Sequence, residues 1–262
     1  MRRGDVFWGG MLIILGSLFL LQANHLISDA LGWFWPLFFI LLGVWVLAAR
    51  FLPGLSADSG EQFSIDLQGA TQLALELDHG AGTVHLSAGT PAGIAVAGTK
   101  ATGMEFKSRL VGERLEVKLD AGPTFIPFLG PDSGTWQFQV NQNVPLTLDV
   151  DAGASRLDLD LTDLKVTHVS VDTGASSLEL KLPARAGNTL VDIESGAATL
   201  NLSVPQGVGA RLRVRQGASS VQVDQTRFPM RDGGLYQSAD YDTAANKVEI
   251  NLNGGANTVN VR

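Results

Sequence analysis

Residues 146–161 read LTLDVDAGASRLDLDL. Leu148 and Val150 alternate with polar neighbours, and so do Leu157 and Leu159. Alternation at period two marks a strand with one apolar face. The apolar parity changes between the two halves, because Val150 to Leu157 is an odd step. A regular strand cannot do this without a bend or an extra residue, so a corner belongs at Gly153-Ala154. Glycine enters positive φ without strain, and the corner is expected to use that freedom. Ala154 is expected to keep the inward parity of Val150, as a small side chain where two walls converge.

The same pattern recurs around Gly80-Ala81, Gly174-Ala175, Gly196-Ala197, Gly217-Ala218 and Gly255-Ala256. Gly153, Gly174, Gly196 and Gly217 follow one another at 21, 22 and 21 residues. A fixed period in this range is one supersecondary unit stacked on itself. A single unit cannot bury its apolar edge, whereas stacked units can, each adding a rung about 4.8 Å from the last. Apolar residues at helical spacing are absent, as is the Asn/Cys ladder of a leucine-rich repeat. The expected fold class is therefore an all-β C-terminal domain, a parallel β-solenoid or β-helix of about 21-residue rungs with Gly-Ala corners. Surplus residues between corners predict loops at about 124–135 and 227–244.

The 262 residues allow one solenoid and something more. With no cysteine, a disulfide framework and thiol chemistry are excluded. The net charge of −7 and the lack of a basic run argue against nucleic acid. Mean hydropathy is +0.16, and the apolar excess sits at the start. From Val6 to Ala49 there is no Lys or Arg, and Asp29 is the only acid. Two apolar runs near the length of a bilayer crossing predict an α-helical transmembrane hairpin over 1–52, with spans at about 6–24 and 33–51. A linker over 53–61 and the β domain over 62–262 would follow. Pro36 is expected in the first turn of the second helix, and Trp8, Trp33 and Trp35 near the membrane interfaces. Arg2, Arg3 and Arg50 flank the spans and the loop between them has no cation, so both termini and the β domain are expected in the cytoplasm, with the protein at the plasma membrane. Gly9 and Gly16 share a helix face, predicted to meet the second helix or a neighbouring subunit.

RRGDVFWGGMLIILGSLFLL (2–21) and WFWPLFFILLGVWVLAAR (33–50) resemble the LiaI–LiaF-like transmembrane region of bacterial envelope-stress proteins. The chain has fewer spans than LiaF-type proteins. The Gly-Ala corners and the tail YDTAANKVEINLNGGANTVNV (241–261) resemble the toastrack domain, an adhesin-like β-solenoid found beside such hairpins. The resemblance implies a non-enzymatic sensor, regulator or scaffold of a cell-envelope stress response, with the solenoid as a protein-binding surface and the lipid bilayer as its other partner.

The residues offer no catalytic, cofactor or metal site. His25, His79, His85 and His168 are not paired at metal-ligand spacing. His79 and His85 read as exposed solenoid histidines, and His25 falls in the loop between the spans, where it could titrate with external pH. Asp78, Asp151, Asp172 and Glu194 stand two before their corners, an acid ladder that Arg215 and Asn253 interrupt. No nucleophile elbow or phosphate loop is present. The insertion PTFIPFLGP crowds Phe125, Ile126, Phe128 and Leu129 between prolines, either as a partner loop or as a cover for a sheet face. An alternative to the regulatory reading is a self-assembling membrane-associated layer of the bactofilin kind, because the closing strand TVNVR has no tail to hide its edge. A carbohydrate-active β-helix enzyme would need clustered carboxylates in a groove, which the sequence does not supply.

Overall fold

A computed structural model describes residues 3–24, 26, 28–51, 62–99, 104–121, 135–217 and 219–262, without the side chains of 3–10, 42, 44–51 and 216. The chain divides into two compact units, Met1–Ala57 and Asp58–Arg262.

The first unit is a pair of helices, α1 (Arg3–Ala23) and α2 (Ala30–Phe51). With 21 and 22 residues, each is just over 30 Å long. Asp29 caps α2, its Oδ1 accepting the Gly32 N–H at 3.0 Å. This cap starts the helix at Ala30, earlier than the sequence pattern predicts. Pro36 therefore lies inside α2 rather than in its first turn. Taken over the described residues, no helix is long and apolar enough to cross a membrane. Met11 and Leu18, seven residues apart, are buried in this unit, as is Ala30. Gly16 is exposed, and a side chain there would meet nothing within 4 Å. The expected glycine contact between the helices is thus not made at Gly16: larger side chains on another face of α1 are the buried ones.

Among the described residues the second unit holds 17 strands. They are β1 (Gln62–Asp66), β2 (Gln72–Ala88), β3 (Ile94–Thr99), β4 (Glu105–Val111), β5 (Arg114–Asp120), β6 (Thr135–Val140), β7 (Pro145–Asp160), β8 (Lys165–Thr173) and β9 (Ser177–Lys181). The rest are β10 (Asn188–Ser195), β11 (Thr199–Ser203), β12 (Gly209–Gln216), β13 (Ser220–Val223), β14 (Met230–Asp232), β15 (Leu235–Gln237), β16 (Lys247–Gly254) and β17 (Thr258–Val261).

Their pairings form two walls. In the first, β5, the first half of β2, the first half of β7, β8, β10, β16 and β12 are parallel neighbours in that order. In the second, β6, the second half of β2, the second half of β7, β9, β11, β17 and β13 follow likewise. Antiparallel strands finish the stack: β4 on β5, β3 on β6, β1 on β3, and the β14–β15 hairpin on β12.

Register puts like with like. One inward column runs Leu119, Leu77, Val150, Val171, Ile193 and Leu252, all at 1% exposure or less. The facing wall contributes Trp136, Val84, Leu157, Leu178, Leu200 and Val259. Each fully buried side chain of this size stabilises by roughly 1.5–3 kcal/mol, so the repeated column is the core.

The last repeat does not stack last. β16 lies between β10 and β12, and β17 between β11 and β13. Residues 204–208 thus step over two strand spacings, about 9.6 Å, and the chain later fills the gap. Residues 227–244, predicted as a loop, instead build β14, β15 and the turn that leads back. Gly233 and Gly234, at φ 51° and 83°, make that tight hairpin, and it covers the outer edge of β12. The closing strand is flanked on both sides, so it is not the open edge that the sequence suggests.

The corners also work differently from expectation. None of Gly80, Gly153, Gly174, Gly196, Gly217 and Gly255 has positive φ. A β-carbon on Gly153 would lie 2.5 Å from the Gly80 carbonyl oxygen; on Gly174, 3.0 Å from that of Gly153; on Gly196, 2.9 Å from that of Gly174. On Gly255 it would lie 2.7 Å from the Gly196 oxygen, and on Gly217 3.2 Å from that of Gly255. Glycine is required by close backbone approach between rungs, not by its conformational range. Ala154, Ala175, Ala197 and Ala256 point outward, not inward. Two successive outward residues, Gly153 and Ala154, perform the parity switch, and Ser155 resumes the interior.

Candidate functional site

The outer face of the first wall carries ordered charge. Asp120, Asp78, Asp151, Asp172 and Glu194 occupy successive strands of one column, followed by Asn253 and Arg215. The neighbouring column ends on Asn251 and Arg213, and the next on Glu249 and Arg211. This one column therefore runs from acid at one end to arginine at the other. The insertion of β16 places Asn253 between Glu194 and Arg215 and leaves Arg215 last in the column. The RLRVR run of 211–215 is a basic stripe, and the composition reading passed over it. Alternation alone shows that its three arginines share one strand face.

Beside the acidic start of that column the face is mixed: a groove of about 510 Å³ is lined by Glu76, Glu116 and Asp149 and by Lys107, Arg109, Arg114 and Lys118. Lys118 Nζ donates to Glu76 Oε1 at 2.6 Å, and this bond raises its pKa. Asp78 is pushed above the usual carboxylate range, first by burial and then by the Asp120 charge beside it, with Asp151 and Glu76 acting in the same direction and Lys118 against them. At the basic end a smaller groove of about 280 Å³ lies among Asp192, Arg213, Arg215, Asn251 and Asn253. Arg213 Nη1 meets Glu249 Oε1 at 2.8 Å. Both pairs are substantially exposed and give little net stability. Their use is to shape a surface potential that a complementary partner can read.

Inside the corners the lining is polar. His79 is buried at 2% exposure, not exposed as its sequence position suggests. Its Nδ1 lies 2.8 Å from Ser155 Oγ, its ring meets Trp136 edge-on at 4.7 Å, and burial lowers its pKa. Thr173 and Ser176 hydrogen-bond to each other two strands further on. Asn257 Oδ1 accepts the Ala198 N–H at 2.7 Å. These residues hold the two walls together at their junction. Only register reveals them, since no spacing rule links His79 with Ser155. His85, as expected, stands on the outer face, 3.2 Å from Asp158.

Of the other residues singled out, Trp33 and Trp35 lie exposed on α2, at 60% and 55%. Arg3 and Trp8 fall in α1 and Arg50 in α2. Arg2, His25, Phe125, Ile126, Phe128 and Leu129 lie outside the described residues. Among the described residues no group of three or more His, Asp or Glu could hold a metal ion.

Residues 55–203 match the family described as the N-terminal domain of toast_rack, DUF2154. The chain belongs to the toast_rack family. Residues 7–85 match the LiaF transmembrane domain, so this toast_rack protein is membrane-anchored and LiaF-like. Both families are non-catalytic in kind. A structure from Clostridium sporogenes, described as a candidate cell adhesion protein, matches at TM-score 0.69 with 18% identity, over 77% of this chain and 98% of that one. At that identity the likeness shows the fold. A candidate adhesin from Bacteroides fragilis matches at TM-score 0.28 with 9% identity, over 77% and 97%. No curated protein matches this sequence.

Proposed function

We propose that this toast_rack protein is a membrane-anchored, non-enzymatic regulator or scaffold of a cell-envelope stress response. Its β domain acts as a β-solenoid whose outer face docks a protein partner. The observation that carries the reading is the succession of a LiaF transmembrane match and a toast_rack match. The column from Asp120 to Arg215 on that face gives the partner a direction, since an oppositely patterned strip satisfies both of its ends. Capture of partners from membranes by the full chain tests this. Replacing Arg211, Arg213 and Arg215 with Glu should abolish capture, and capture indifferent to these charges would refute the docking face.

Arg2, Arg3 and Arg50, around a loop free of cations, support a cytoplasmic β domain in this reading. A phosphatase fused after Arg262 should be inactive, and an active fusion would overturn this topology. The hairpin over 1–52, linker over 53–61 and solenoid over 62–262 form the working domain scheme. Phe125, Ile126, Phe128 and Leu129 remain its proposed partner loop. The bactofilin-like reading draws on one observation, that among the described residues no strand pairs the outer edge of β13.

A further inference from the structure

β16 and β17 lie 59 residues after the strands they stack on, with Leu252 beside Ile193 and Val259 beside Leu200. The rung before them follows its own neighbour at 22, with Ile193 beside Val171 and Leu200 beside Leu178. The surplus of 37 residues is the excursion through β12, β13 and the β14–β15 hairpin. Without it, β16–β17 would be an ordinary next rung.

The excursion leaves and re-enters the stack at one place. The Gly209 N–H donates to the Asn246 carbonyl at 3.0 Å, so its two ends touch. It also holds itself together. β12 pairs with β15 and β15 with β14, the Ala210 N–H donates to Ser238 Oγ at 2.9 Å, and Leu212, Phe228 and Tyr236 are buried. An element with adjacent ends and its own pairing can leave a repeat stack without unravelling it, because each rung contacts only its neighbours.

The closing rung is fastened more firmly inward than outward. Toward β10 and β11, Asn246 Oδ1 accepts the Gly187 N–H at 3.1 Å, Asn251 Nδ2 donates to Asp192 at 2.8 Å and Asn260 Nδ2 to Asn201 at 2.8 Å. Asn257 and Arg262 bond to Ala198 and Ser203 at the same offset of 59 residues. Toward the excursion its side chains make the exposed Glu249–Arg213 pair and the contacts of Lys247 with the Asp242 carbonyl and the Tyr241 ring. The core thins in the same direction. Ile250, Leu252 and Val259 are fully buried, whereas Val214, Val221 and Val223 in the next rung are half-buried.

We infer that β12–β15 form a hinged arm, which opens as one unit and leaves behind a solenoid closed by β16–β17. Opening costs the arm its ladder and packing on β16–β17 and leaves every inward bond in place, so it requires less free energy than unfolding the domain. The arm carries Arg211, Arg213 and Arg215, and the basic end of the outer column moves with it. The inference rests on register and hydrogen bonding, and it stands whether or not the arginines dock a partner.

Alternation within β16 supplies the readout. The Lys247 and Gly255 N–H groups donate to Gly187 and Ser195, whereas the Asn246 and Gly254 carbonyls accept from Gly209 and Gly217. In a parallel ladder alternate residues turn both main-chain groups to the same neighbour. Val248, Ile250 and Leu252 therefore donate to the arm, and Glu249, Asn251 and Asn253 donate to β10. Native-state hydrogen exchange of the full chain in detergent, read residue by residue, should find the first three amides less protected than the second three by roughly tenfold or more, and matched to the amides of β12. Equal protection along β16 would overturn the arm, since the rung would then open as a whole. A second variant replaces 204–246 with a copy of Leu182–Gly187, the return that joins β9 to β10. It should keep its β circular dichroism and a cooperative melt. Loss of the fold would show that the solenoid is incomplete without the arm, and the inference would fall.

Discussion

Replacing Gly153 with alanine should unfold the β domain at a markedly lower temperature, while the same change at Gly80 should not. The new β-carbon on Gly153 would sit 2.5 Å from the Gly80 carbonyl oxygen. A carbon–oxygen contact needs about 3.3 Å, so the two rungs must part by nearly 1 Å at their tightest point. The carbonyl has little room to yield. The equivalent oxygens of Gly153, Gly174 and Gly196 accept the next rung's alanine N–H at 3.0, 2.9 and 3.0 Å. Overpacking of this kind costs about 1–3 kcal/mol. A β-carbon on Gly80 meets nothing within 4 Å. Its φ is not positive, so alanine there gains about 0.4–1 kcal/mol from the unfolded chain. The two variants should thus differ by roughly 1.5–4 kcal/mol, or about 3–15 °C for a domain of this size. Circular dichroism melts of the full chain in detergent read the difference. Equal melting of the two variants would refute crowding as the reason for glycine.

Asn257→Ala should cost about 1–3 kcal/mol in urea unfolding, because it strands the buried Ala198 N–H; no loss would show that water can replace the amide. Ending the chain at Gly254 removes β17 from between β11 and β13 and with it the buried Val259 and Val261, a loss of about 3–6 kcal/mol; a mild effect in thermal melts would return β17 to the edge. Burial holds His79 below its ordinary 6.5, so the unfolded chain takes up the proton first. The stability from neutral His79 is complete above about pH 6.5 and declines as pH falls toward the folded pKa. Urea midpoints should drop between pH 7.5 and 5.5 in the parent and less in His79→Phe, and parallel pH profiles would refute the buried neutral ring.

The corner residues show how far sequence reading reaches. The parity break between Val150 and Leu157 located each corner, because a strand's two faces are a local property of alternating side chains. The same local reasoning chose the wrong cause. Backbone freedom can be assigned to any glycine, whereas the Gly80 oxygen that crowds Gly153 belongs to a rung 73 residues earlier. His79 was misread for the same reason: its partners Ser155 and Trp136 arrive from β7 and β6. Likewise, chain order suggests that the closing strand TVNVR is the open edge. The step over 204–208, which leaves room for β16 and β17, has no signature in hydrophobic pattern.

The sequence by itself determined that two apolar helical runs precede a domain of stacked, alternating strands, and it placed the corners and the inward columns. Only the tertiary structure decided which rung touches which. That choice set the acid-to-arginine order of one outer column, buried His79 and, among the described residues, left β13 with no strand on its outer edge. Periodicity is written residue by residue along the chain. Neighbourhood between rungs depends on where the backbone travels, and near-identical repeats give the sequence no local preference among their neighbours.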